Sequence, residues 1–428
     1  MRELWSVTCV VILASATLVA SNWPSWRGPT LNGVSAETGL PSTWSATQNV
    51  AWKLPLPAFS GSTPIIWGDR IFLNVATGAR TGELELWAID RNKKDVVWKR
   101  PIAGGNNMQR KQNMSSPSPV TDGRRVWVMT GVGMLKAFDF DGKELWSRDI
   151  QKEYGYFGLN WGYASSPLLL QNALYVQVLH GMKTDDPSYV LKIDADSGKT
   201  LWKVERLTDA PRESPDSYTT PTFIQASSRT ELIITGGDVV SGHDLASGKE
   251  YWRADVLNPT RNTAYRIVAS PVIAAGLVIA PSRNNPLVAI RPGGAGEVGG
   301  THVEWSFSRG PDVPTPVSDG TYLYVVNETG VVYCLNVKSG EVVYGPERLP
   351  SDFYSASPTL ADGKIYVTGE TTGVTTVYKQ GPKFEVVASN TLGDACDPYC
   401  LSTVAVSEGQ LFIRTSANLW AIGERKSK

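Results

Sequence analysis

Four side chains in the connections between repeated segments are the best equipped for chemistry: Arg110, Trp161, Arg261 and Arg266. A guanidinium fork recognises carboxylates at two points. Aromatic planes beside such groups can hold a flat polyanionic ring system, a sugar, or a strand from a partner protein. Their neighbours in the same connections are polar and aromatic as well. The first connection holds Asn106, Asn107, Gln109, Lys111 and Asn113, the second Tyr154, Tyr156, Phe157, Asn160 and Tyr163. The third offers Arg212, Glu213, Asp216 and Tyr218, the fourth Asn262 and Tyr265. Later ones add Arg309, Asp312, Phe353, Tyr354, Asp394 and Asp397. These four residues are taken as the candidate ligand-binding face.

Catalytic machinery is harder to find. A cation-dependent redox centre needs clustered oxygen ligands and a carboxylate base. Glu213, Asp216, Asp394 and Asp397 are the acidic candidates, and spacing in sequence does not establish that they converge. The chain has 3 histidines. His243 stands where other repeats carry Phe138, Ile193 and Ile290, so it reads as a blade histidine with its hydrogen bonds satisfied. His180 and His302 are isolated in turn-like contexts. Zinc chemistry and a histidine-dependent nucleophile therefore lack residues, and neither a catalytic nor a metal-ligating residue is assigned. Gly293-Gly294-Ala295-Gly296 lacks the strand-to-helix setting of a phosphate cradle and reads as an extended loop. Cys396 and Cys400 bracket the turn-forming Asp397-Pro398-Tyr399, which suits a local disulfide in an oxidising compartment; the alternative, a metal pair, lacks a second Cys/His cluster. Cys334 occupies a position held by Ala88, Ala137, Ala289 and Ala421 elsewhere and reads as a small core residue.

The elements that must position these residues are announced by a repeated phrase. A small residue and proline precede a Gly-containing turn, an apolar strand and a tryptophan, with prolines at 64, 119, 167, 221, 271, 316 and 358. Ser402-Thr403-Val404 stands in the eighth place. Successive prolines lie 55, 48, 54, 50, 45 and 42 residues apart by subtraction of those numbers, within the range of propeller blades. Four short strands fit each unit, with Asp122-Gly123 suited to a two-residue hairpin of positive φ at both positions. The reading is all-β: an eight-bladed β-propeller of four-stranded antiparallel blades. Trp98, Trp146, Trp202, Trp252 and Trp305 close successive units and are expected to pack between neighbouring blades. The eighth unit ends at Leu419-Trp420-Ala421-Ile422 with no fourth strand. Val50-Ala51-Trp52-Lys53 supplies the missing one, so an N-terminal strand closes the ring and removes its open edges.

Composition fits a packed domain rather than a disordered one, with charged residues at 19% and 15 tryptophans. Lys+Arg and Asp+Glu are both 41, which leaves no basic footprint for nucleic acid. Residues 1–21 have a positive start, an apolar core too short to span a bilayer comfortably, and a small-residue cleavage site, the pattern of a secretory signal. The expected organisation is a signal peptide over 1–21, an extension over 22–48, the propeller over 49–424 and a tail over 425–428. The product is expected in the periplasm or secreted, as a monomer without a membrane span.

Three units carry a shared docking pattern: Ala137-Phe138-Asp139…Gly142…Trp146, Lys192-Ile193-Asp194…Gly198-Lys199…Trp202 and His243-Asp244…Gly248-Lys249…Trp252. This resembles the quinoprotein-type repeat. The opening Trp23-Pro24-Ser25-Trp26-Arg27-Gly28-Pro29 also looks like the start of a bacterial family of exported PQQ-like repeat proteins, grouped with the outer-membrane protein assembly factor BamB. The resemblance implies either a non-catalytic scaffold for protein or cell-envelope glycan partners, or a PQQ-dependent alcohol or sugar dehydrogenase that uses calcium. Two departures matter. The large quinoprotein dehydrogenases carry adjacent cysteines, and none occurs here. BamB itself is a lipoprotein, and Cys9 precedes the apolar core rather than following it. The scaffold is therefore the expected function, and no cofactor is assigned.

Overall fold

A computed structural model describes residues 22–394 and 396–426. The signal-peptide reading and the last two tail residues lie outside the described residues. Eight antiparallel sheets follow one another along the chain and form an eight-bladed propeller. The second blade is representative: Val120–Thr121 innermost, then Arg125–Met129, Met134–Asp139 and Glu144–Asp149 outermost. The middle strands are apolar on both faces because each blade is sandwiched between two others; Val126, Trp127, Val128 and Met129 are all fully buried. The Asp122-Gly123 turn departs from expectation, since Gly123 alone has positive φ, whereas Asp362 and Gly363 both do.

The ring closes through its N-terminal strand. Val50–Pro55 pairs antiparallel with Asn418–Ile422 as the outer strand of the eighth blade, with Trp52 opposite Ala421 and Leu54 opposite Leu419. Trp52 and Leu54 are buried, while Lys53 and Pro55 point outward. Two blades exceed four strands. Gly296–Glu297, from the glycine-rich loop, lies parallel to the outer strand Glu250–Asp255 of the fourth blade. Val34–Ser35 lies parallel to the inner strand Thr359–Ala361 of the seventh.

Four closing tryptophans lock blade to blade. The indole N–H groups of Trp98, Trp146, Trp202 and Trp305 donate to the carbonyls of Phe140, Ala195, Leu245 and Val337 in the following blade, at 2.9–3.2 Å. The rings cover the glycine of that blade's last turn: a Cβ on Gly198 would lie 2.7 Å from Trp146, and Gly198 also has φ +71°. Glycine is therefore required there twice over. Trp252 behaves differently. It is fully buried and donates to Glu231 Oε2 (2.8 Å) within its own blade. The next blade's connection over residues 291–302 forms the added strand and a one-turn helix instead of the Ser-Gly turn that the other rings cover.

A second interblade device runs around the channel. From Pro119 onward the residue before each landmark proline, and Thr403 in the eighth blade, carries a hydroxyl that accepts an N–H from the preceding blade. Thr63 N–H donates to Ser118 Oγ (2.9 Å), Ser118 to Ser166 (2.9 Å), Ser166 to Thr220 (3.2 Å) and Thr220 to Ser270 (2.9 Å). Ser270 donates in turn to Thr315 (2.9 Å), Thr315 to Ser357 (3.0 Å) and Ser357 to Thr403 (3.3 Å). At the seam Ser402 Oγ donates to Ser62 O (3.2 Å). Proline holds the preceding residue extended, which aims its N–H sideways at the neighbour rather than along its own strand.

The N-terminal extension is a plug. Trp23 pairs with Ile66 of the first blade through two 2.8 Å backbone bonds, and Pro24 O accepts from Thr121 N–H of the second. Buried Arg27 donates to the carbonyls of Pro358 (2.9 Å), Pro316 (2.7 Å) and Asn32 (2.8 Å). Gly33 packs against that guanidinium at φ +79°, and Gly33 O accepts from Leu360 N–H in the seventh blade. Apart from Asn32 of the plug itself, these partners come at or after the landmark prolines. The plug therefore crosses the channel on the far side of the hydroxyl girdle from the loops that join blade to blade.

Candidate binding site at the channel mouth

The channel is consequently blind: floored by Trp26 of the plug, walled by the girdle and open among the interblade loops. Its cavity measures about 380 Å³, within the size range of small-molecule sites. Ser118, Ser166, Thr220, Ser270, Thr315, Ser357 and Thr403 line it together with Val268 and Val313. Beyond the floor, Trp26 also borders a second cavity of about 280 Å³, so its side chain separates the two.

Three of the four candidate residues meet here. Arg110, Trp161 and Arg266 all line the cavity. Arg110 and Lys111 form the tip of a small hairpin, Met108–Gln109 paired with Gln112–Asn113, and Arg110 takes φ +54° in that turn. Its guanidinium carbon lies 5.0 Å from the Trp161 ring centroid, a cation–π distance. Trp161 is held in place by its indole N–H on Glu213 Oε1 (2.7 Å), by its backbone N–H on Tyr218 Oη (3.0 Å), and by Gln112, whose amide donates to its carbonyl. Arg266 Nη2 donates to Asp312 Oδ2 (3.1 Å) and its Nε lies 3.9 Å from Glu213. Arg261 is placed elsewhere. It is half exposed, pairs with Asp255, and lies 3.6 Å from Asp238 Oδ2, away from the cavity lining.

The acids are mostly committed to holding loops. Asp216, fully buried, accepts three backbone N–H groups, from Asn160 (2.6 Å), Gly181 (2.9 Å) and Met182 (3.1 Å). Burial nevertheless raises its pKa to about 6 against those hydrogen bonds. Glu370 pairs with Lys111 (2.8 Å) and accepts from Ser355, and Glu328 accepts Asp312 N–H (3.2 Å). Asp394 is bound within the eighth blade by Asn418 and Trp420, both at 2.8 Å, and Asp397 is exposed beside the disulfide that joins Cys396 to Cys400. His243 is buried between Gly248 O (3.0 Å) and Ser241 Oγ (2.9 Å), and burial lowers its pKa to about 4. Among the described residues no three His, Cys, Asp or Glu side chains gather as a cation site.

Sequence reasoning missed the floor and the girdle. Trp26 was legible only as part of an opening motif. The hydroxyl before each proline was visible at every repeat, but it registered as a small residue rather than as a donor-acceptor pair facing a channel.

A family profile described as outer membrane protein assembly factor BamB matches residues 2–153, 82–343 and 295–381. Comparison of the sequence with curated proteins finds no match. Among solved structures, BamB from Moraxella catarrhalis is similar at a TM-score of 0.61 and 12% identity, over 87% of this chain and 99% of that one. A europium-containing methanol dehydrogenase reaches 0.70 at 12% identity, over 94% and 90%. The quinohemoprotein alcohol dehydrogenase from Comamonas testosteroni reaches 0.64 at 9% identity, over 95% and 82%. At these identities the likeness is one of fold.

Proposed function

The chain belongs to the family described as outer membrane protein assembly factor BamB, and from that premise we propose a non-catalytic exported propeller that binds a protein or glycan partner through the loops at its channel mouth. It acts as a monomer in the periplasm or outside the cell. No helix among the described residues is long and apolar enough to cross a membrane. The observation that carries the reading is the state of the acids around the mouth. Glu213, Asp216, Glu328 and Glu370 each hold a loop, a cation or a backbone N–H. A general base must instead be within reach of the proton it removes; fully buried Asp216 is absent from the cavity lining, while Asp312 and Glu328, which line it, hold Arg266 and a backbone N–H. Arg110 meets an aromatic ring and no carboxylate among the described residues, which suits a group that engages a partner.

The second reading, a PQQ-dependent oxidoreductase using calcium, is suggested by the dehydrogenase neighbours. A flat tricarboxylate would find a plane in Trp26 and cations in Arg110, Lys111 and Arg266. The fit fails on charge, because Lys111 and Arg266 are already neutralised by Glu370 and Asp312, and no acid cluster among the described residues offers itself for a cation. Incubation of folded protein with PQQ and calcium, followed by desalting, tests the choice. The expected result is no retained quinone absorbance and no dye-linked oxidation of alcohols or sugars. Retained quinone with turnover would overturn the binding reading.

A further inference from the structure

We propose that the blind end of the channel seats one pyranose ring, stacked on Trp26 and encircled by the hydroxyl girdle. The inference rests on the binding reading and names the ligand of that same cavity.

Ser118, Ser166, Thr220, Ser270, Thr315 and Ser357 each accept one backbone N–H, and none donates to a protein acceptor among the described residues. A hydroxyl has one donor and two acceptor positions, so each retains an O–H and a lone pair at the cavity wall. Such a ring is complemented by groups that both accept and donate. Carboxylates and quinone oxygens only accept; sugar hydroxyls do both.

Two further observations agree. The floor is an indole, and an apolar sugar face packs on such a plane while its hydroxyls project sideways, toward the girdle. A neutral ligand also leaves the Arg266–Asp312 and Lys111–Glu370 pairs intact. A glycan chain would continue outward past Arg110 and Trp161.

The test uses the full chain and a panel of methyl pyranosides (glucoside, galactoside, N-acetylglucosaminide), with acyclic sorbitol as control, read by saturation-transfer NMR and calorimetry. At least one pyranoside is expected to bind saturably and sorbitol not at all. Trp26→Ala should weaken binding at least tenfold, with rescue in Trp26→Phe, and Thr315→Val should weaken it about fivefold, the worth of one hydrogen bond. Absence of saturable binding to folded wild type, equal binding of sorbitol, or affinity unchanged in Trp26→Ala would each overturn the proposal. The comparison with sorbitol is made on wild-type protein and stands even if the variants fold poorly. Failure here leaves the non-catalytic reading intact, since that reading falls only to PQQ retention with turnover.

Discussion

The two ends of the channel use the same residue types to opposite effect. Below the girdle, Arg27 is buried and donates to three main-chain carbonyls, with Trp26 beside it at 5.5 Å. Above the girdle, Arg110 sits over Trp161 at 5.0 Å with no carboxylate or carbonyl partner among the described residues. Both are arginine–tryptophan pairs, and pattern alone does not distinguish them. The lower guanidinium spends both terminal nitrogens on carbonyls of the chain and so fixes the channel floor. The upper pair keeps its donors and so offers a surface. A satisfied guanidinium is structure, and an unsatisfied one at an open mouth is recognition.

Perturbing each region should separate these roles. The largest effect is expected from deleting residues 49–53, which removes the outer strand of the eighth blade. Burial of Trp52 and Leu54 alone is worth about 3–6 kcal/mol, so the deletion should be insoluble or strongly destabilised; melting like the wild type would refute the closure. Arg27→Met should come next. It leaves the carbonyls of Asn32, Pro316 and Pro358 without their donor, at a cost of about 2–4 kcal/mol in chemical denaturation.

His243, on the third strand of the fourth blade, probes the body of a blade away from both ends. Its pKa in the folded protein is lowered to about 4 from 6.5 by burial, so the folded state binds fewer protons than the unfolded one between those values. The stability from the neutral ring is complete above pH 6.5 and is lost as pH falls toward 4, by up to about 3 kcal/mol. Measured against wild type, His243→Phe should show a flatter stability profile across that window. The smallest effect on stability is expected at the mouth. Arg110→Ala should stay within about 0.5 kcal/mol of wild type while weakening whatever partner the mouth binds. A large loss of stability there would erase the contrast with Arg27.

Most of the ring was readable because its signals are local and repeated. Proline before seven of the eight inner strands and tryptophan within six of the outer ones mark the blades, and Trp52 stands out as the orphan outer strand. Trp252 packs between the fourth and fifth blades as expected, but its indole N–H turns to Glu231 because the next blade's connection folds differently. The site was readable only in part. Arg110, Trp161 and Arg266 come together because their loops converge, whereas Arg261, on an equally polar loop, is drawn aside by Asp255 and Asp238. Nothing in a linear pattern separates these cases, since acid partners lie wherever the fold brings them. The plug was invisible for the same reason: its partners Ile66, Thr121, Pro316 and Leu360 are spread over most of the chain.

The blind channel depends on that plug being part of the folded ring rather than a loose terminus. Hydrogen exchange of the peptide covering residues 22–35 tests this directly, because the amides of Trp23, Gly28, Leu31 and Gly33 all donate within the fold. Protection comparable to the inner strands of the blades is the predicted result. Complete exchange within seconds, while the blades stay protected, would contradict it and leave the channel open at both ends.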